Sequence, residues 1–186
     1  MNPEKLARRY HSLWLGELVS SVLFIAVYLI LGLHDGQWSR WVLRGYSLAV
    51  VVFILIQAVF WWLWKVRLLR QNSREMPLHV VARYRRLRGL NWLLIAGFVP
   101  VALLKALFLG ELAIGEGDFG EADFDSDFWY GLLIMGGAVL EQINYYYYQL
   151  MYDNPYDWNY LRRERRLRRG SVAKVLERQR DEVEVQ

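Results

Sequence analysis

Five polar side chains interrupt otherwise apolar runs: Glu17 and Ser20 in the first run, Gln57 in the second, and Glu141 with Asn144 in the last. Two carboxylates in a poorly solvated site can bind and release a proton, which is the chemistry of a coupled transporter. Carboxylates, amides and hydroxyls can equally hydrogen-bond one another and pin the register of neighbouring helices. Residue types alone leave both open. Ser21, Asn91, Lys105 and Gln142 are further polar residues in these runs. Lys105 stands near the other end of its run, where its stem can carry the ammonium out to the headgroups.

The elements that must hold these residues follow from hydropathy. Of 186 residues, 55% are hydrophobic, and they gather into blocks at about 13–33, 46–64, 90–109 and 128–148. Each block is long enough to cross a hydrocarbon core of about 30 Å as a helix. The pattern predicts an all-α, four-helix transmembrane bundle over residues 1–150, then a basic cytoplasmic tail over residues 151–186. Pro100 should bend the third helix, since proline lacks the N–H that a helix interior needs. The first block is too long for a signal-peptide core and is followed by no small-residue cleavage site, so it reads as a retained helix.

Depth and helical spacing sort the polar residues. Glu141 precedes Tyr148 by seven residues and Gln57 precedes Lys65 by eight, placing both roughly 10–12 Å inside one interface, with Glu17 at a similar depth beyond Arg9. Spacings of three and four set Gly137, Ala138, Glu141, Asn144 and Tyr145 on one stripe, and Leu13, Glu17, Ser20 and Phe24 on another. Small residues beside a carboxylate admit a neighbouring helix, so Glu17, Ser20, Gln57, Glu141 and Asn144 form a candidate intramembrane cluster. Gln142 falls on the flank of its stripe, and Tyr146 and Tyr147 point away. The run Tyr145 to Tyr148 fits an aromatic belt at headgroup level, like Trp61, Trp62 and Trp64.

Charge sets the orientation. Of 23 Lys and Arg, 3 precede the first block, 8 lie between the second and third, and 9 follow the fourth; the other side has only Arg40, Arg44 and Lys105. Basic residues are retained on the cytoplasmic side during insertion, so both termini are expected there, in a cell inner membrane. The opposite loop carries seven acids from Glu111 to Asp127 and no base, reading as a solvated acidic loop without calcium-loop spacing. In the tail, Asn154 and Pro155 start a helix that should run to Gly170. Its Arg162, Arg163, Arg165, Arg166, Arg168 and Arg169 suit the anionic surface of a membrane. The last residues should form a short, fraying helix, and Pro77 should open a basic helix leading into the third block.

Cysteine is absent and the three histidines lie outside the apolar blocks, which excludes thiolate chemistry and a histidine metal site inside the membrane. No phosphate loop or nucleophile elbow is present, so no catalytic residue, metal or cofactor is assigned. The segment "LGELVSSVL" around Glu17 resembles the first helix of the small multidrug resistance transporters. That resemblance implies exchange of protons for cationic drugs at Glu17, while the long basic connector, the acidic loop and the arginine tail depart from the family's compact plan. The reading is a non-catalytic interaction or accessory protein whose partners are anionic lipid headgroups and a second copy or membrane protein, not nucleic acid. Small proton-coupled transport is the alternative.

Overall fold

Runs of Leu, Val, Ile, Ala and Phe satisfy their backbone internally as helix, the only open structure that hydrocarbon tolerates. The computed structural model describes residues 3–73, 75–108, 126–151 and 155–184, and these are almost entirely helical. Helix α1 spans Pro3–Asp35, α2 spans Val42–Arg70, α3 spans Leu78–Ala96, α4 spans Phe98–Phe108 and α5 spans Ser126–Tyr146. The tail adds α6 (Pro155–Glu164) and α7 (Ser171–Glu184).

Three helical stretches are long and apolar enough to cross a membrane: Glu4–Asp35, Trp38–Arg70 and Leu78–Phe108. Helix α5 falls outside that group because its last turns exchange aliphatic residues for Glu141, Gln142, Asn144 and tyrosines. The helices also outrun the apolar blocks, since basic residues continue a helix into the headgroup region at no hydrogen-bonding cost. Helix α3 begins just after Pro77, as expected, and carries its basic turns directly into the apolar part.

Helix α2 is the centre of the molecule, packed most extensively against α5 and α1. Its Val50, Ile54, Leu55, Ala58 and Trp61 are buried. Helices α1 and α4 instead turn their apolar residues outward: Ile30 is 65% exposed, Leu33 70% and Phe108 82%. Apolar faces this continuous would be unstable in water and are what lipid contacts require.

Between α3 and α4 the helix breaks at Gly97, one residue beyond the point where the Pro100 ring meets the Ala96 carbonyl. The Tyr46 hydroxyl packs against Gly97 and donates to the Leu94 carbonyl at 2.7 Å, so a tyrosine from α2 satisfies backbone that the break loosens.

The tail corrects the expected single amphipathic helix. Helix α6 stops at Glu164, Arg165 takes a left-handed conformation (φ 49°), and the chain returns to the bundle instead of continuing to Gly170. Arginines four apart repel one another on a helix, which weakens continuation here. The returning segment pairs with the end of α5: Gln149 N–H donates to the Arg168 carbonyl at 2.8 Å, and Gly170 N–H to the Tyr147 carbonyl at 2.9 Å. Gly170 lies so close to the carbonyls of Asn144 and Tyr145 that any side chain there would collide. Helix α7 then docks through buried Val172, Ala173 and Leu176, and Trp61 Nε1 donates to Ser171 Oγ at 2.9 Å. The last helix is therefore held to the bundle at its start. Asn154 and the acids from Glu111 to Asp125 lie outside the described residues.

Candidate functional site

The polar residues of the apolar blocks divide into three groups, not one. At the centre, α2, α3 and α5 meet through amides. Gln57 Nε2 donates to Asn91 Oδ1 at 2.8 Å, and Asn91 Nδ2 donates both to Gln57 Oε1 at 3.0 Å and to Gln142 Oε1 at 2.8 Å. Gln142 Nε2 donates to the Arg88 carbonyl at 3.1 Å. The Tyr146 hydroxyl donates to Gln57 Oε1 at 2.7 Å, and the Tyr84 hydroxyl to the Gln57 carbonyl at 2.7 Å. Asn91 and Gln142 have no solvent exposure and Gln57 is buried. A network this fully satisfied fixes which helix faces which, and it offers no free group for chemistry.

Gln57 is thus separated from the carboxylates with which spacing had grouped it. Tyr146, expected to point away, is buried because α3 covers that side of α5.

The two carboxylates lie within electrostatic reach of each other. The Tyr145 hydroxyl donates to Glu17 Oε1, tying α5 to α1, and Glu141 is near enough for its charge to act on both. Asn144 Nδ2 lies 3.5 Å from Glu141 Oε2, while its Oδ1 accepts the Leu150 N–H at 2.9 Å and turns the chain out of α5. Ser20 adds nothing to this cluster; its neighbour Ser21 is the buried serine, donating to the Glu17 carbonyl at 2.8 Å.

Glu17 and Tyr145 line a cleft of about 330 Å³ between α1, α2, the end of α5 and the start of α7. Arg9, Lys65, Arg168 and Lys174 line the same cleft, so four cations face one carboxylate. Lys65 and Lys174 are near enough to repel each other, and the Lys65 ammonium lies 5.1 Å from the Trp61 ring centroid. Leu6, Leu13, Met151 and Val175 supply apolar wall. The indole Nε1 of Trp62 is buried beside the Tyr145 hydroxyl and close enough to act on it.

The third group holds the opposite end of the bundle. Asp127, expected in a solvated loop, is fully buried. Its carboxylate accepts the backbone N–H groups of Leu43 and Arg44 at 2.9 and 3.0 Å, capping α2 from another helix. Lys105 Nζ lies 3.1 Å from Asp127 Oδ2 and Arg44 Nε 3.4 Å from Oδ1. Lys105 therefore turns inward instead of snorkelling to the headgroups. The arginine is sandwiched between the Trp41 and Tyr130 rings at 4.6 and 4.7 Å from their centroids. A partial signal existed in the sequence: Lys105 in the third block, Arg44 ahead of the second and Asp127 ahead of the fourth all belong to the same end.

The six tail arginines are distributed by the turn after α6. Arg162 and Arg163 are exposed on its last turn, as are Arg165 and Arg166 beyond it. Arg168 enters the cleft, and Arg169 pairs with Glu177 at 3.2 Å and lies over Tyr148. Comparison with protein-family models, characterised proteins and solved structures finds no match to this chain.

Proposed function

We propose that this chain is a four-span, non-catalytic interaction or accessory protein of a cell inner membrane, with both termini cytoplasmic and a basic inner face that gathers anionic lipid. The observation that carries it is the coincidence of two surfaces: outward apolar faces on α1, α4 and α5, and cations from three distant chain segments collected at one end. Helix α5 supplies the fourth span through its long contact with α2, with Leu132, Leu133 and Leu140 turned outward. The N-terminal part of α1, the end of α2 and the tail share the cleft, as the same cytoplasmic side requires.

The cysteine-free chain allows a direct test. With Ser39→Cys on one side and Ser73→Cys on the other, an impermeant maleimide applied to intact cells should label the first only, and the second after permeabilisation. The lipid that co-purifies in mild detergent should be enriched in anionic species, the enrichment falling at high salt. Reversed labelling, or co-purified lipid of bulk composition, would overturn the proposal.

One observation favours proton-coupled transport as a second reading: Glu17 lines a cleft and is bonded by Tyr145, with the Glu141 charge near enough to act on both. Adding organic cations to the purified protein in weak buffer should then release protons from the wild type and not from Glu17→Gln. Release by neither, across a panel of cations, ends this reading.

A further inference from the structure

We propose that the cleft is a stoichiometric site for one phosphate-bearing amphiphile, its phosphate held among Arg9, Lys65, Arg168 and Lys174. This deepens the preceding reading, since it rests on the basic end lying at the headgroup level of a membrane, but it demands more than a diffuse surface attraction.

Four features point to such a ligand. The cations come from α1, α2, the returning segment and α7, so the tail's docking assembles the site from chain segments far apart in sequence. A helix-surface arginine cluster would present charge in one plane, whereas these four line a concavity. Lys65 and Lys174 lie near enough for their charges to repel, a cost that an anion between them would relieve. Among the described residues Lys65 forms no ion pair, and its charge meets only the face of Trp61.

The shape selects among anions. A volume of about 330 Å³ admits a glycerophosphate-sized headgroup and is far too small for two acyl chains. The chains of a lipid would leave over Leu6, Leu13 and Met151 toward the exposed Leu15, Leu18 and Val19 of α1. Glu17 is the one acid on the wall, and it lies eight residues from Arg9, roughly 12 Å along the helix. Tyr145 already satisfies that carboxylate. The carboxylate is thus set apart from Arg9 and already engaged by α5.

The test is native mass spectrometry of the full-length protein, released from detergent after equilibration with phosphatidylglycerol, in parallel with glycerol 3-phosphate and with phosphatidylcholine. The wild type should retain one phosphatidylglycerol and no more phosphatidylcholine than background. The pair Lys65→Gln and Lys174→Gln should lower retention by about tenfold or more, because each removed charge faces the phosphate in a partly desolvated site. The pair Arg162→Gln and Arg163→Gln removes the same charge from the exposed surface and should change it by less than about twofold. Lys65→Arg with Lys174→Arg restores charge without the original side chains and should recover most of the retention. Unfolding temperature is measured for each variant, and the arginine pair separates lost charge from lost fold.

Retention of glycerol 3-phosphate at the same stoichiometry supports the phosphate site with a soluble ester as its occupant. Equal losses from the two Gln pairs overturn the site while leaving the basic-surface reading standing. Absence of any retained phosphate compound overturns the site outright, and bulk lipid composition in the co-purification experiment overturns the surface reading separately.

Discussion

Asp127→Asn is expected to destabilise the fold by about 3–5 kcal/mol, because it leaves Lys105 and Arg44 charged, largely buried and without their counter-ion. Asp127 has no solvent exposure, and its partners include two backbone N–H groups at the start of α2, the Lys105 ammonium and the Arg44 guanidinium. The amide that replaces it keeps one acceptor and turns a donor toward two N–H groups and two cations. Loss of intrinsic fluorescence structure on heating in detergent should occur roughly 10 °C or more below the wild type. Adding Lys105→Met should recover part of the loss, since replacing a buried ion pair with apolar side chains is far less harmful than orphaning one member. An Asp127→Asn protein as stable as the wild type would show that water reaches this end of the bundle and screens the cluster.

Asn91→Leu is the second large effect, about 2–3 kcal/mol, from the orphaned amides of Gln57 and Gln142 on either side. Asn91 is the only member of the network that bonds both, at 2.8 to 3.0 Å. The physical content is the asymmetry between losing one partner and losing all. The combination of Asn91→Leu, Gln57→Leu, Gln142→Leu and Tyr146→Phe leaves no unpaired side-chain group and should be more stable than Asn91→Leu alone. Denaturant titration of the two proteins checks the order, and the reverse order would mean that apolar volume at this crossing matters more than polar satisfaction.

These effects arise from residues whose roles were legible to different degrees. The apolar blocks, the bend near Pro100 and the helix after Pro77 could be read directly, because hydropathy and missing N–H groups act locally. The similar depth of Glu17 and Glu141 could be read from their distances to the flanking basic and aromatic residues, but whether the two meet in space could not. The grouping of Gln57 with them could not be separated from its true pairing by the same means. Depth places a residue along an axis, but which neighbour it meets depends on the rotation of each helix. Residues one position apart on α5 therefore serve different partners: Glu141 pairs with Asn144 and acts on Glu17 of α1 only through its charge, while Gln142 bonds α3. Likewise Tyr145 reaches Glu17 and Tyr146 reaches Gln57, where an aromatic belt had been expected.

The tail shows the same limit at longer range. Its arginines suggested a surface helix, and nothing local signals that Gly170 must pass beside two carbonyls of α5. That approach brings Arg168 and Lys174 to Arg9 and Lys65, more than a hundred residues earlier in the chain. The sequence by itself determined a helical chain with at least three stretches apolar enough to enter a membrane and with its charges segregated, because insertion energetics sum over each segment independently. Only the tertiary structure decided that Asp127 is buried, that the amides form one network and that four distant cations share a cleft. Each of those depends on helix rotation and on the return of the tail, which are set by the packing of all segments at once.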